Sequence, residues 1–223
     1  NPATVVEVVI DAVKTASKET GVHTNLIGIL SRTFGVEACT TELNSLLTHK
    51  QHISALDLAG DEISYPAELF VDHFKQARDA GLAITVHAGE ADGPSSIWSA
   101  IKLLGATRIG HGVAAVTDPK LMEYLSKNNI SVESCPTSNF QTATISDLSQ
   151  HPLRTFLESG IQVCLNTDDP AISNITLAHE YEVANKILVL TQEELETIQR
   201  TGVHAAFLSD ADKFTLFEQA IEK

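Results

Sequence analysis

Six short apolar runs, separated by helix-length stretches, constrain this chain more than any other feature. They fall at residues 25–32, 53–58, 83–87, 108–110, 130–133 and 161–165. Aliphatic and β-branched residues dominate them, and their lengths suit buried strands. Before and between them, apolar positions recur at helical spacing, which predicts helices over 4–20, 37–50, 66–80, 95–104, 119–128 and 152–159. In the first of these, Val5, Val8, Val9, Ala12 and Val13 share a face, with Asn1 or Thr4 placed to cap and Gly21 to close. In the third, Leu69, Phe70, His73, Phe74 and Ala77 do the same. Strands that alternate with helices in this way pair in parallel through right-handed crossovers. The expected fold class is therefore α/β. After Asp169-Pro170 the pattern becomes wholly helical, at 177–190, 192–206 and 210–221, and this tail is expected to pack on the sheet. Thr191 ahead of Gln192-Glu193-Glu194 reads as a helix cap with an acidic first turn.

In parallel α/β sheets and barrels, functional residues gather where the strands end. Here the ends carry Asp57 and Gly60, His87 and Glu90, His111, Ser138 and Asn139, and Asp168 and Asp169. The run Ala83-Ile84-Thr85-Val86-His87-Ala88-Gly89-Glu90 delivers an imidazole and a carboxyl into one loop. Taken alone it could be a core strand ending in a solvated turn, but the recurrence of polar ends makes one candidate site. For Asp57, Ser138 and Asn139 the alternative stays open that loops simply favour such residues. A catalytic zinc takes three or four His and carboxylate ligands and leaves a position for water, and His87 with Asp168 is the natural pair. Two ligands are too few, and the chain has no HxH or HExxH. The metal site is incomplete as written. His23, His49, His52, His73, His151, His179 and His204 lie away from the strand ends in sequence and are read as structural or solvated.

At 223 residues, 43% of them hydrophobic, the chain can bury one large core and is read as a single domain, or part of one, over 1–223. Asp and Glu outnumber Lys and Arg by 29 to 15, a formal net charge of -14. Such a balance argues against nucleic acid or an anionic membrane as partner and disfavours a phosphorylated substrate. Cys39, Cys135 and Cys164 are odd in number and lack CxxC spacing, which suits reduced thiols and a cytoplasmic location. No apolar run approaches the roughly 20 residues of a membrane span, and no leader pattern opens the chain. Residue 1 is Asn and the one methionine is Met122, so the sequence reads as starting inside a longer gene product, although processing would give the same start.

Five motifs in order carry a family resemblance: Asp57-Leu58-Ala59-Gly60-Asp61-Glu62, His87-Ala88-Gly89-Glu90, Gly110-His111-Gly112, Cys135-Pro136-Thr137-Ser138-Asn139 and Thr167-Asp168-Asp169-Pro170. With them the chain resembles the carboxyl-terminal two thirds of a zinc-dependent adenosine deaminase of the bacterial kind, in the amidohydrolase superfamily. The resemblance implies a (β/α)8 TIM barrel of which this chain supplies about six strands plus C-terminal helices. The family's first strand carries a His-x-His pair that would supply two further zinc ligands. That segment and the second strand have no counterpart here, so a second polypeptide supplying the N-terminal strands, or a truncated chain, is expected. The resemblance further implies one Zn²⁺ per site held by His87 and Asp168. It makes Glu90 the acid that protonates purine N1, and His111 the residue that orients or deprotonates the attacking water. Gly60 and Asp169 become contacts to a purine nucleoside. Protonating N1 makes C6 electrophilic, which requires a carboxyl that carries its proton when substrate is bound. Asp57, Ser138 and Asn139 would support these groups from behind. Adenine or adenosine monophosphate is the alternative substrate. A two-metal amidohydrolase would carry a bridging lysine where Asp57-Leu58-Ala59-Gly60 stands. From another class, the chain could be a non-catalytic fragment or binding module.

Overall fold

The computed structural model describes residues 2–221. Asn1, one of the two residues placed to cap the first helix, lies outside them. The chain forms two compact units: one is the stretch up to His87 together with Ser99–Ala106, the other is Ala88–Trp98 with everything described from Thr107 onward.

The first unit is built on strands β1 (Leu26–Ser31), β2 (Ile53–Ala59) and β3 (Ala83–Ala88), whose last residue already belongs to the second unit. β1 pairs with β2 and β2 with β3, both in parallel, with Leu56 opposite Gly28 on one side and Ile84 on the other. The central strand is buried from Ala55 to Leu58, as a strand with both faces covered should be. Helix Gly35–Thr48 packs against β1 and buries Cys39, Leu43 and Leu46. The stretch read as one helix over 66–80 divides into a 3-10 turn, Ala67–Phe70, and an α-helix, Val71–Asp79. Phe70, His73, Phe74 and Ala77 are buried as expected, but Leu69 is exposed because the 3-10 turn rotates it off that face.

The first helix, Pro2–Thr20, forms as expected. It starts at Pro2, so of the two residues read as possible caps Thr4 sits inside the first turn. Its apolar stripe is largely uncovered: Ile10 is its one buried residue, while Val5 and Val8 are 62% and 63% exposed. Ile27 and Ile29 of β1 are exposed as well. Periodicity identifies a face that needs cover; it does not identify the cover.

The second unit repeats the parallel ladder with β4 (Arg108–His111), β5 (Ser131–Ser134) and β6 (Val163–Leu165). Ile109, Val132 and Val163 are fully buried at its centre. Asp118 caps helix Pro119–Lys127 through the N–H groups of Lys120 and Leu121, with proline at the first position. The expected helix over 95–104 is an α-helix, Pro94–Ser99, that widens into a π turn, Ala100–Leu104. Two short helices escaped sequence reading, Pro136–Gln141 and Pro170–Ser173, because each begins at a proline directly after a strand-end motif and is too short for periodicity to register.

The C-terminal tail packs as expected. Its helices are Leu177–Lys186, Gln192–Ala205 and Asp210–Ile221, and Thr191 forms a reciprocal capping box with Glu194. Arg108 of β4 donates to Ala205 O at 2.9 Å and stacks on Phe207 with 4.0 Å to the ring centre. Arg154 holds Leu188 O and Glu194 in the same way. Among the described residues no helix is long and apolar enough to cross a membrane.

Candidate active site

At the end of the first ladder, Asp57 is buried beneath His87. Its Oδ1 accepts from the N–H groups of Leu58 at 2.6 Å and His87 at 3.2 Å, and its Oδ2 lies 2.9 Å from His87 Nδ1. Burial pushes this carboxyl up, but His87 and the two backbone N–H groups outweigh it and hold it below the ordinary value. An ionised Asp57 places the His87 proton on Nδ1 and leaves Nε2 with a lone pair, the form a metal ligand needs. Arg32, 1% exposed, ties the strand ends together by donating to Leu58 O at 3.0 Å and His87 O at 2.7 Å.

Gly60 follows β2 at φ +113°. A Cβ there would lie 2.4 Å from Thr33 Oγ1, so both the backbone conformation and the crowding require glycine. Gly89 is under the same double constraint, with φ +69° and Ile97 Cδ1 2.4 Å from the position a Cβ would take. It lets the chain turn between His87 and Glu90.

The second unit joins more of the named residues. Ser138 Oγ donates to Asp168 Oδ2 at 2.6 Å, which orients that carboxylate and leaves its other oxygen open to a cation. Glu90 Oε2 lies 3.5 Å from His111 Nε2. Asn139, fully buried, reaches both: its Nδ2 lies 3.0 Å from His111 Nδ1 and 3.5 Å from Glu90 Oε1. His111 and Asp168 have φ of +63° and +56°, conformations that cost a non-glycine residue of order 1–3 kcal/mol. Asp169 Oδ1 accepts from Ile172 N–H and caps Pro170–Ser173, so one of its oxygens is engaged locally. The structure thus pairs His87 with Asp57, Glu90 with His111 and Asp168 with Ser138; it shows no such partner shared by Gly60 and Asp169.

One residue departs from its sequence reading. His151 is 4% exposed and stands in this network, its Nε2 3.2 Å from Asn139 Oδ1 and its Nδ1 accepting from Leu153 N–H at 3.2 Å. Burial, with His111 as a second cause, pushes its pKa down to about 3, so its ring is neutral near pH 7. The sequence signal available was His151-Pro152 at a helix start, which points to a local turn and not to Asn139, 12 residues earlier. Of the other six histidines, His73 is buried and bonds Thr40 on the neighbouring helix at 2.8 Å, which is a structural role. The three cysteines are free and buried, with Cys39 and Cys164 pushed up to about 11, mainly by burial.

A family model described as adenosine deaminase matches residues 1–223. The chain belongs to the adenosine deaminase family. Among its relatives, an adenosine deaminase of Aliivibrio fischeri (strain ATCC 700601 / ES114) is 57% identical over 221 residues, 99% of this chain and 66% of the relative. An adenosine deaminase of Vibrio parahaemolyticus is 56% identical over the same shares. The chain therefore spans just under two thirds of the length of these family members. Of solved structures, an adenine deaminase from Arthrobacter aurescens matches 96% of this chain and 65% of its own at 30% identity, with a TM-score of 0.91. A zinc-bound amidohydrolase from Burkholderia ambifaria matches 96% of this chain and 60% of its own with a TM-score of 0.90, a likeness of fold at 22% identity. The fold class is that of the TIM-barrel deaminases, of which this chain supplies six parallel strands and the C-terminal helices.

Proposed function

We propose that this chain is the carboxyl-terminal part of a barrel domain that hydrolyses adenosine and 2′-deoxyadenosine to inosine products and ammonia. The observation that carries the reading is the carboxyl–imidazole pair of Glu90 and His111, held 3.5 Å apart with Asn139 behind both, in a chain of this family. The donor types suit one zinc ion: an imidazole, His87, whose Nδ1 lies 2.9 Å from Asp57, and a carboxylate, Asp168, oriented by Ser138, would be two of its ligands. Two further histidine ligands would come from outside this chain, on the preceding strands or on a second polypeptide. Zinc, when bound, supplies a Lewis acid that makes water a nucleophile near neutral pH.

This chain's residues supply the proton handling and the fit. Glu90 delivers a proton to the purine ring nitrogen beside C6, which makes that carbon electrophilic. His111 orients the attacking oxygen. Gly60, with no Cβ, lets its backbone N–H approach the ring, and Asp169 meets the opposite edge of the purine. The compartment we infer is the cytoplasm, in keeping with three reduced, buried thiols.

Replacing Glu90 with Gln in the intact protein should leave zinc bound and lower turnover of adenosine by about 10²–10⁴-fold, the usual worth of a general acid. An unchanged rate would remove Glu90 from the proton-donor role. The fold is also used by proteins named for adenine and for N6-methyl-AMP, so adenine and adenosine monophosphate belong in the same assay.

A further inference from the structure

Three hydrogen bonds run in one line from a backbone amide to His111, each fixing the direction of the next, and a fourth branches from the same Asn139 amide to Glu90. The Leu153 N–H points at His151 Nδ1 from 3.2 Å, so that nitrogen must accept and carries no proton. Neutral His151 therefore bears its proton on Nε2. That nitrogen faces Asn139 Oδ1 at 3.2 Å and donates to it. The Asn139 amide cannot then be turned round, because its NH₂ group would meet the His151 N–H head-on. Its Nδ2 is committed to His111 Nδ1 at 3.0 Å, with Glu90 Oε1 in reach of the second hydrogen at 3.5 Å. His111 Nδ1 accepts, so neutral His111 has its proton on Nε2, the nitrogen that lies 3.5 Å from Glu90 Oε2. His111, Asn139 and His151 are 2%, 0% and 4% exposed, so no solvent competes to reverse the order.

We propose that His151, acting through Asn139, fixes His111 as the Nε2–H tautomer, so that His111 meets its ligand as a hydrogen-bond donor. His151 and Asn139 are then positioning residues. Under the deaminase reading, on which this consequence rests, neutral His111 holds the attacking oxygen by donating to it from Nε2. With its proton already there, it has no lone pair on Nε2 with which to act as a base. The second Asn139 hydrogen and the His111 Nε2–H both face Glu90, so one amide sets the angle between the proton donor and the water-orienting group. The neutral state of His151, held by burial, keeps its single Nε2–H in place across the neutral range.

The direct test is ¹⁵N NMR of the intact protein with ring-labelled histidine, which reads each tautomer from its nitrogen shifts. His151 and His111 should both show a protonated Nε2 and a bare Nδ1. A wild-type His111 with its proton on Nδ1 would overturn the proposal, and this reading needs no variant and no turnover. His151→Phe should free the Asn139 amide, mix the His111 tautomers and lower kcat about 10- to 100-fold with KM nearly unchanged. His151→Gln, whose NH₂ group can donate to Asn139 Oδ1, should restore the His111 Nε2–H signal and much of kcat. A His151→Phe protein that keeps a pure Nε2–H His111 and a kcat within about twofold of wild type would also overturn it. If the tautomers are as described while no purine is turned over, the relay stands and the deaminase reading falls. If purine is turned over while His111 carries Nδ1–H, the reverse holds.

Discussion

The residues of the candidate site were unequally visible in the sequence. His87, Glu90, His111 and Asp168 could be named as candidates because they stand at or just beyond the ends of apolar runs, and the family resemblance then suggested a role for each. Asn139 was visible as a candidate support for the site or else as a loop residue, and what the sequence did not show is that helix Pro136–Gln141 buries it completely. His151 was invisible as a site residue, since nothing in the spacing of His151-Pro152 reports the partner it meets through folding. Its burial makes a prediction of its own. An unfolded histidine titrates near 6.5, whereas folded His151 is held down to about 3. Between those values the unfolded state binds a proton that the folded state refuses. The stability His151 contributes is therefore fully present above about pH 6.5 and is lost as pH falls toward the folded value, by roughly 1.4 kcal/mol per pH unit. Urea denaturation of the intact protein from pH 7 to pH 5 should show this loss, and His151→Phe should flatten it. An unaltered slope in the variant would mean that His151 is not the group responsible.

At the scale of elements, the strands were legible as nearly continuous apolar runs, the pattern of a parallel strand with both faces covered, although β1 has one face exposed. Their pairing followed from the alternation with helices. Two kinds of element were not legible. Pro136–Gln141 and Pro170–Ser173 are too short for a helical period, and both exist because the chain must turn sharply after a strand end. The first helix was legible as a helix but not as a covered one, since Val5 and Val8 stand exposed. The tail shows the opposite case, where local chemistry sufficed. Thr191 and Glu194 exchange hydrogen bonds, with Thr191 N donating to Glu194 Oε2 at 2.7 Å and Glu194 N to Thr191 Oγ1 at 3.3 Å. Thr191→Ala should cost the intact protein about 1 kcal/mol of stability without altering its zinc content or catalytic rate. A parallel loss of activity would mean that helix Gln192–Ala205 has a role beyond packing.

For the molecule as a whole, family membership and the Glu90–His111–Asn139 arrangement are what support the proposed deamination. The acidic balance of 29 to 15 suits a neutral nucleoside better than a phosphorylated one. The most direct measurement is the fall in adenosine absorbance as inosine forms, followed with the zinc-replete intact protein beside equal concentrations of adenine and adenosine monophosphate. The account predicts that adenosine is turned over fastest and that chelating the zinc abolishes the rate. No turnover of adenosine by protein shown to hold zinc, or faster turnover of adenine or the nucleotide, would contradict it.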